Sequence, residues 1–378
     1  MRKRNKIVVG IDIRDLRIAK TGQKTVLEEL CRQLQNLSDQ RFSFAFFDSS
    51  LPVYTGKNKT ILLFEHIRYQ FWKQVVLPVK AWQKGCDILF CVDYFVPYIH
   101  LGFKTVEIFH DAFFFEYPNH YNKIWLKIFH HIAMPAAKKC SYIITVSDYA
   151  RKRIQNHTQF PEEKLVTIYN GPKSLKKHKE LLPLPEYIGI KDNQKYILHV
   201  GVFEKRKNLP SLIKALKILK DGGYNDLKLI LVGKGNGKML SDDTEELMQS
   251  IQKNKLEKNV YLTGYLSDEE LVPLYQHAYM YVFPSINEGF GIPILEAFTF
   301  KLPVLVANNS SLPEVGGEAV LSFDPFDEKD IAEKIKKVLE NDILRTELIY
   351  KGQERLKHFS WKKTAHQLLE VFEKAHTE

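Results

Sequence analysis

Three observations predict an α/β protein built from two doubly wound, parallel-sheet domains. The 378 residues exceed what one hydrophobic core usually organises. Short apolar runs rich in β-branched and aromatic residues alternate with longer segments of helical period, the pattern of parallel strands joined by crossover helices. That alternation lapses once, at residues 171–194, and then restarts.

In the first half, strands are expected at KIVVGIDI (6–13), FSFAFFD (42–48), ILLF (61–64), ILFC (88–91), KTVEIF (104–109), YIITVS (142–147) and LVTIY (165–169). Helices fit near 22–37, 68–84, 119–138 and 147–157. GPKSLKKHKELLPLPEYIGIKDNQ is rich in proline and lysine and has little periodicity, so it reads as a linker. Strands then resume at KYILHVG (195–201), LKLILVG (227–233), VYLTG (260–264), YMYVFPS (279–285), PVLVAN (303–308) and AVLSF (319–323). Within SLIKALKIL, Leu212, Leu216 and Leu219 share a face, and Pro210 suits a first helical turn. WKKTAHQLLEVFEKAHTE closes the chain as an amphipathic helix. The resulting domains are 1–172, a linker 173–194, 195–360, and a terminal helix 361–378 expected to pack back on the first domain. Ligands of such sheets sit beyond the carboxyl ends of the strands, so the cleft between two of them is the expected site.

Four cysteines, Cys31, Cys86, Cys91 and Cys140, have no metal-ligand spacing and read as reduced, buried thiols of a cytoplasmic protein. The basic start MRKRNKIVVGIDI is followed by too short an apolar run for a secretory leader, and no run of eighteen apolar residues occurs. Residues 1–200 hold 31 Lys and Arg against 18 Asp and Glu, while the remainder is slightly acidic. A basic first half suits an anionic partner such as a phosphorylated acceptor or lipid headgroups, or it is simply a solvated surface. No nucleic-acid-binding motif accompanies the charge.

PSINEGFGIPILEAFT (284–299) sets Glu288 before a glycine loop and Glu296 inside the helix that follows. Free backbone N–H groups at that helix start, with glycines permitting close approach, favour an anion. Eight helical positions would separate the two Cα atoms by about 12 Å, beyond the roughly 5 Å pairing of retaining glycosidase carboxylates. The layout better suits two carboxylates holding separate hydroxyl-bearing ends of one elongated ligand, as in a nucleotide sugar. A helix-capping Glu beside a surface Glu is the bland alternative. GVFEKRKNLPSLIKAL (201–216) leaves a strand, passes Glu204, Lys205, Arg206 and Lys207, and enters a helix. Adjacent cations there suit a diphosphate, because Arg chelates two oxygens and Lys adds a point charge.

These two stretches resemble the phosphate-binding loop and the Glu-x7-Glu motif of retaining glycosyltransferase family 4. LPVLVANNSSLPEVGGEAVLSFDP (302–325) and VYLTGYLSDEELVPLYQHA (260–278) are also similar to that family. KTGQKTVLEEL (20–30), CDILFCVDYFVP (86–97), FHDAFF (109–114) and TVSDYARKRI (145–154) resemble it more loosely. The resemblance covers nearly the whole chain. It implies the GT-B fold: two facing Rossmann-like domains with an interdomain cleft, acceptor on the first and nucleotide-sugar donor on the second.

Carried over by position, the resemblance implies that Glu288 contacts the donor hexose and Glu296 the ribose hydroxyls. Arg206 and Lys207 would neutralise the departing diphosphate, which Gly289, Phe290 and Gly291 approach through their backbone. The ring of Phe290 would help choose the donor. Gly233, Tyr265 and Leu266 would flank the base, and Gly22 would let the first domain come close to the diphosphate. His110 resembles the family's histidine beside the donor sugar, although a His next to Asp111 is by itself more often a structural pair. No metal and no essential cofactor are implied, since the Arg/Lys pair supplies the positive charge. Two departures stand out. Thr21-Gly22-Gln23-Lys24 lacks a second glycine, and Val202 stands where some members carry Arg.

The expected activity is retaining transfer of a hexose from a nucleoside diphosphate sugar to a carbohydrate or lipid-linked acceptor, and the resemblance implies surface polysaccharide synthesis as its setting. Cytoplasmic location with peripheral contact to an anionic membrane follows from the charge asymmetry. A GT-B epimerase or phosphorylase changes the reaction, but no pyridoxal-phosphate lysine signature is present. A dinucleotide oxidoreductase or non-catalytic nucleotide-binding module lacks its GxGxxG after either first strand.

Overall fold

A computed structural model describes residues 6–18, 22–37, 41–49, 51–54, 56, 58–176, 180–185, 188–190, 194–235, 237 and 241–378. Residues 20–21 of the expected glycine loop, the opening basic run and parts of the expected linker lie outside them. The chain divides into two compact units, Met1–Asn170 with Ser360–Glu378, and Gly171–Phe359.

Each unit is a six-stranded parallel sheet with helices packed against it. In the first, β1 (Ile7–Asp12), β2 (Phe42–Phe47), β3 (Ile88–Cys91), β4 (Lys104–Phe109), β5 (Tyr142–Thr145) and β6 (Leu165–Thr167) lie in the order β2-β1-β3-β4-β5-β6. In the second, β7 (Tyr196–Val200), β8 (Lys228–Val232), β9 (Val260–Gly264), β10 (Met280–Phe283), β11 (Val304–Ala307) and β12 (Val320–Phe323) lie in the order β12-β11-β10-β7-β8-β9. All pairings are parallel. The central strands β3, β10 and β11 are buried at every residue, as expected of a sheet covered on both faces. The strand order reverses between β1 and β3 in the first unit and between β7 and β10 in the second. Those two points are where doubly wound sheets open a crevice for ligands.

One expected strand is absent. ILLF begins a helix, Lys59–Phe71, that continues through a π-helical stretch, Trp72–Val76, into Leu77–Lys84. Asn58 decides its start: its side chain accepts from the backbone N–H groups of Thr60 and Ile61. Four apolar residues are too few to separate period 2 from period 3.6. The second long helix repeats the device, with π-helical Phe129–Ala133 between Lys123–Ile128 and Met134–Lys138. Both π stretches run into a proline, Pro78 or Pro135. A proline ring clashes with the carbonyl four residues back, which in each case belongs to the widened turn.

In the helix Leu209–Asp221, Leu212, Leu216 and Leu219 are buried and Pro210 lies in the first turn. The four cysteines are buried thiols outside any disulfide. The terminal helix Trp361–Thr377 belongs to the first unit, where Thr364 Oγ1 donates to the Tyr169 carbonyl at 2.7 Å. Phe372 is fully buried with its ring edge-on to Phe90 at 5.3 Å. Phe372→Ala should therefore cost the first unit about 3–5 kcal/mol, read as a lower denaturant midpoint; an unchanged midpoint would contradict this packing.

Candidate active site

The loops that leave the two strands at the second unit's reversal point are the two stretches singled out in the sequence. After β7, Gly201–Phe203 leads to a turn, Lys205–Lys207, and Asn208 at φ 54° starts the next helix. Its amide holds that left-handed conformation by donating to the carbonyls of Pro284 at 3.3 Å and Pro325 at 2.7 Å. After β10, Ser285–Glu288 leads into Gly289-Phe290-Gly291 and the helix Ile292–Thr299. Gly291 adopts φ 106°, and a side chain there would press on Leu312 at 3.0 Å, so the turn suits glycine alone.

The loops are joined by backbone and by charge. Ile286 N–H donates to the Arg206 carbonyl at 2.8 Å, and Arg206 Nη1 donates to the Asn287 carbonyl at 3.3 Å. Glu288 Oε1 lies 2.5 Å from Lys207 Nζ and 2.8 Å from Arg206 Nη1, while Arg206 Nε donates to Glu204 at 2.8 Å. Glu288 and Lys207 are both buried. Burial alone would raise the Glu288 pKa, but the charges of Arg206 and Lys207 outweigh it and hold the carboxylate at about 2. Burial and the Arg206 charge lower Lys207, against the pull of Glu288. The Glu288 backbone is held as well: buried Ser311 Oγ stands 2.9 Å from the carbonyls of Glu288 and Phe290.

Glu296 is separate from this cluster. It is buried in the helix Ile292–Thr299 and accepts from the Tyr275 hydroxyl at 2.6 Å. Burial raises its pKa against the opposing effects of Tyr275 and Lys173. Tyr281 links the two carboxylates: its buried hydroxyl is raised by burial and then by the charges of Glu296 and Glu288. Its ring stacks on Tyr275 and meets Phe283 edge-on, and Lys207 Nζ lies 4.9 Å from the Phe283 ring.

Three glycines terminate β7, β8 and β9. Gly233, at φ 136°, leaves no room for a side chain: a Cβ would fall 1.9 Å from the Gly201 carbonyl oxygen. Gly233 N–H donates to the Gly264 carbonyl at 2.8 Å, which brings Tyr265 and Leu266 to the same edge. Tyr265 is exposed and Leu266 half-buried. The Phe290 ring, expected to help choose the donor, is buried edge-on against Phe359 instead.

Gly22 and His110 belong to the first unit. Gly22 opens the helix Gly22–Asn36, with open space where a side chain would project. His110 follows β4, and its Nε2–H donates to the Val92 carbonyl at 2.8 Å, leaving Nδ1 with the lone pair. Burial lowers its pKa, so the ring is neutral at physiological pH. Asp111 instead accepts from the Phe113 N–H at 3.1 Å.

Several residues at these sites carry no signal in a single sequence. Lys73, fully buried, lies 2.6 Å from Asp12 and 2.5 Å from Asp93 at the first unit's reversal point. Asp12, Cys91 and Asp93 are close enough to hold a metal ion, but the Lys73 ammonium already occupies the two carboxylates. Lys173, inside the expected linker, pairs with Asp268 and adds its charge near Glu296 and Tyr265. His199 is buried at the end of β7, donates from Nδ1 to the Val282 carbonyl at 3.0 Å, and is held near pKa about 4 by burial and by Lys207.

Two family models match the chain: "Glycosyltransferase Family 4" over residues 20–172 and "Glycosyl transferases group 1" over 184–355. O-antigen chain mannosyltransferase B of Escherichia coli is 32% identical over 272 residues, covering 71% of this chain and 70% of that protein. The chain belongs to glycosyltransferase family 4. O-antigen chain mannosyltransferase RfbU of Salmonella typhimurium is 30% identical, covering 71% of the transferase and 69% of RfbU. Anabaena Alr3699/HepE, solved in complex with UDP and glucose, superposes at a TM-score of 0.72 over 97% of this chain and all of that one. At 18% identity that likeness shows the GT-B fold.

The ion cluster of this glycosyltransferase has an acid signature. Glu288 falls from an ordinary 4.5 to about 2, so its stabilising contribution is complete above the higher value and is lost as pH falls toward the lower. Glu288→Gln should flatten the stability-versus-pH curve across that window, measured by denaturant unfolding at stepped pH; identical slopes in both proteins would contradict the ion cluster.

Proposed function

We propose that the transferase moves a hexose, mannose, from a nucleoside diphosphate donor to a carbohydrate or lipid-linked acceptor during surface polysaccharide synthesis, with retention of configuration. The observation that carries this reading is the convergence of Arg206, Lys207 and Glu288 at the reversal point of the second sheet. The mannosyltransferase names of the Escherichia coli and Salmonella typhimurium relatives support the sugar. The UDP and glucose held by HepE support a nucleoside diphosphate donor.

On this reading Arg206 and Lys207 turn from Glu288 toward the diphosphate as negative charge develops on it. Glu288 is then released to the hexose hydroxyls. Glu296, with Tyr275 behind it, takes the ribose, and Gly233, Tyr265 and Leu266 border the base. Gly289 and Gly291 keep the backbone close to sugar and phosphate. Glu204, the other carboxylate of the cluster, is held by Arg206 Nε at 2.8 Å, which favours departure and attack on one face of the sugar over a covalent intermediate. His110, neutral and with an unprotonated Nδ1, serves as an acceptor for a sugar hydroxyl, and Gly22 opens a helix start toward an anion. The first unit is assigned the acceptor, and its basic character supports work at the cytoplasmic face of an anionic membrane.

A thermal-shift panel of nucleotide sugars should single out a nucleoside diphosphate mannose, since a ligand of the folded state raises its melting temperature. Lys207→Ala should lower turnover about 10²–10³-fold, the loss typical of removing one group that stabilises transition-state charge, with circular dichroism unchanged. Near-normal turnover would refute the diphosphate assignment. Conversion of the donor without acceptor would mark an epimerase.

A further inference from the structure

The mis-assigned ILLF segment leads to an unusual surface. From residue 59 to 84 the chain is helical without interruption. One face is buried through Trp72, Leu77 and Ala81. On the other, Phe64, Ile67, Phe71, Val75, Val79 and Trp82 recur every three or four residues, each at least 38% exposed and four of them near 60%. This is an apolar stripe turned outward, where an isolated Leu or Phe would need no explanation but a continuous row does.

A neighbouring loop extends it. Gln74 donates to the Val96 carbonyl at 3.1 Å and accepts from the Tyr98 N–H at 2.8 Å, fixing the loop against the helix. Tyr98, Ile99 and Leu101 on that loop are exposed. Lys139 Nζ sits 3.4 Å from the Tyr98 ring centroid. Lys84, Lys104 and Lys139 are exposed around the stripe. Residues 59–84 and 98–104 contain one acidic residue, Glu65, which is buried and paired with Arg14 and Arg68.

We infer that this face seats on an anionic bilayer, with the stripe in the acyl boundary and the lysines on lipid phosphates. Tryptophan and tyrosine favour that boundary, and lysine stems cross it with their ammonium groups in water. The charge excludes the obvious rival: a second copy pairing through the same face would bring lysine against lysine with no carboxylate to meet them. Among the described residues no helix is long and apolar enough to cross a membrane. The inference rests on the proposed place of work at an anionic membrane and names the surface that reaches it.

The test is flotation of the full chain with vesicles of phosphatidylcholine, with and without an equal part of phosphatidylglycerol. The wild type should float only with the anionic vesicles, and brominated acyl chains should quench its fluorescence, less so in Trp82→Phe. The triple variant Phe64→Glu, Ile67→Glu, Trp82→Glu should lose at least tenfold in vesicle binding. Lys84→Glu with Lys104→Glu should weaken binding to anionic vesicles. Donor-induced thermal shift and transfer to a soluble acceptor should be unchanged in all variants, which separates failure here from failure of the proposed reaction. Flotation of the triple variant like wild type, absence of wild-type flotation, or a wild-type dimer in light scattering that the triple variant abolishes would each overturn the inference.

Discussion

The buried contact of Glu288 with Arg206 and Lys207 is the constraint on which the second unit's strand-end loops are arranged. Desolvating three charges is costly unless they neutralise one another with good geometry. The fold meets that condition by bringing two loops from neighbouring strands into one cluster. The backbone bond from Ile286 to Arg206 sets their spacing, and Ser311 fixes the Glu288 main chain. Asn208 ties the start of the Glu288 loop, at Pro284, to one further loop, at Pro325, through its amide. Removing one cation would leave a buried carboxylate under-compensated, so the three side chains depend on one another.

Glycine supplies the second constraint. At the ends of β7, β8 and β9 the backbone itself forms the surface, because Gly233 touches Gly201 too closely for any Cβ. Aromatic rings lie beneath: Tyr275, Tyr281 and Phe283 form one buried series from Glu296 to Lys207. That series fixes the distance between the two carboxylates without a direct bond between them.

Much of this was legible in the sequence for identifiable reasons. Both sheets show themselves because parallel strands buried on two faces are continuous apolar runs, as ILFC and MYVF are. Arg206, Lys207 and Glu288 were legible because each lies in a loop that leaves a strand end with a glycine or proline signal nearby, and Glu296 because it follows Pro293 in the helix that the loop enters. ILLF was misread because its outward face is apolar, which removes the amphipathic contrast that marks a helix. Lys73 and Tyr275 were illegible as site residues, since their partners lie 20 or more positions away and only the fold brings them together. The direction of the Phe290 ring was likewise illegible, because a strand–loop–helix signature does not say which side of the loop faces the core.

The two reversal points carry buried lysines in opposite electrostatic settings, and the difference bears on what each can bind. Around Lys73, two carboxylates face one ammonium, and nearby Asp15 is raised well above the usual carboxylate range by burial and by the Asp93 charge. Lys73 is thereby already compensated, and the arrangement braces the ends of β1 and β3 instead of offering a seat for another anion. Around Glu288 two cations share one carboxylate oxygen, and Glu204 meets only the far edge of Arg206. On the proposed reading, an incoming diphosphate takes over cations that Glu288 has kept charged and in place. Glu288, relieved of them, becomes available to hydroxyl donors of the sugar. The carboxylate thus orients the cations before the donor arrives and the sugar after it, which explains why a strongly acidic side chain stands where an anion must bind.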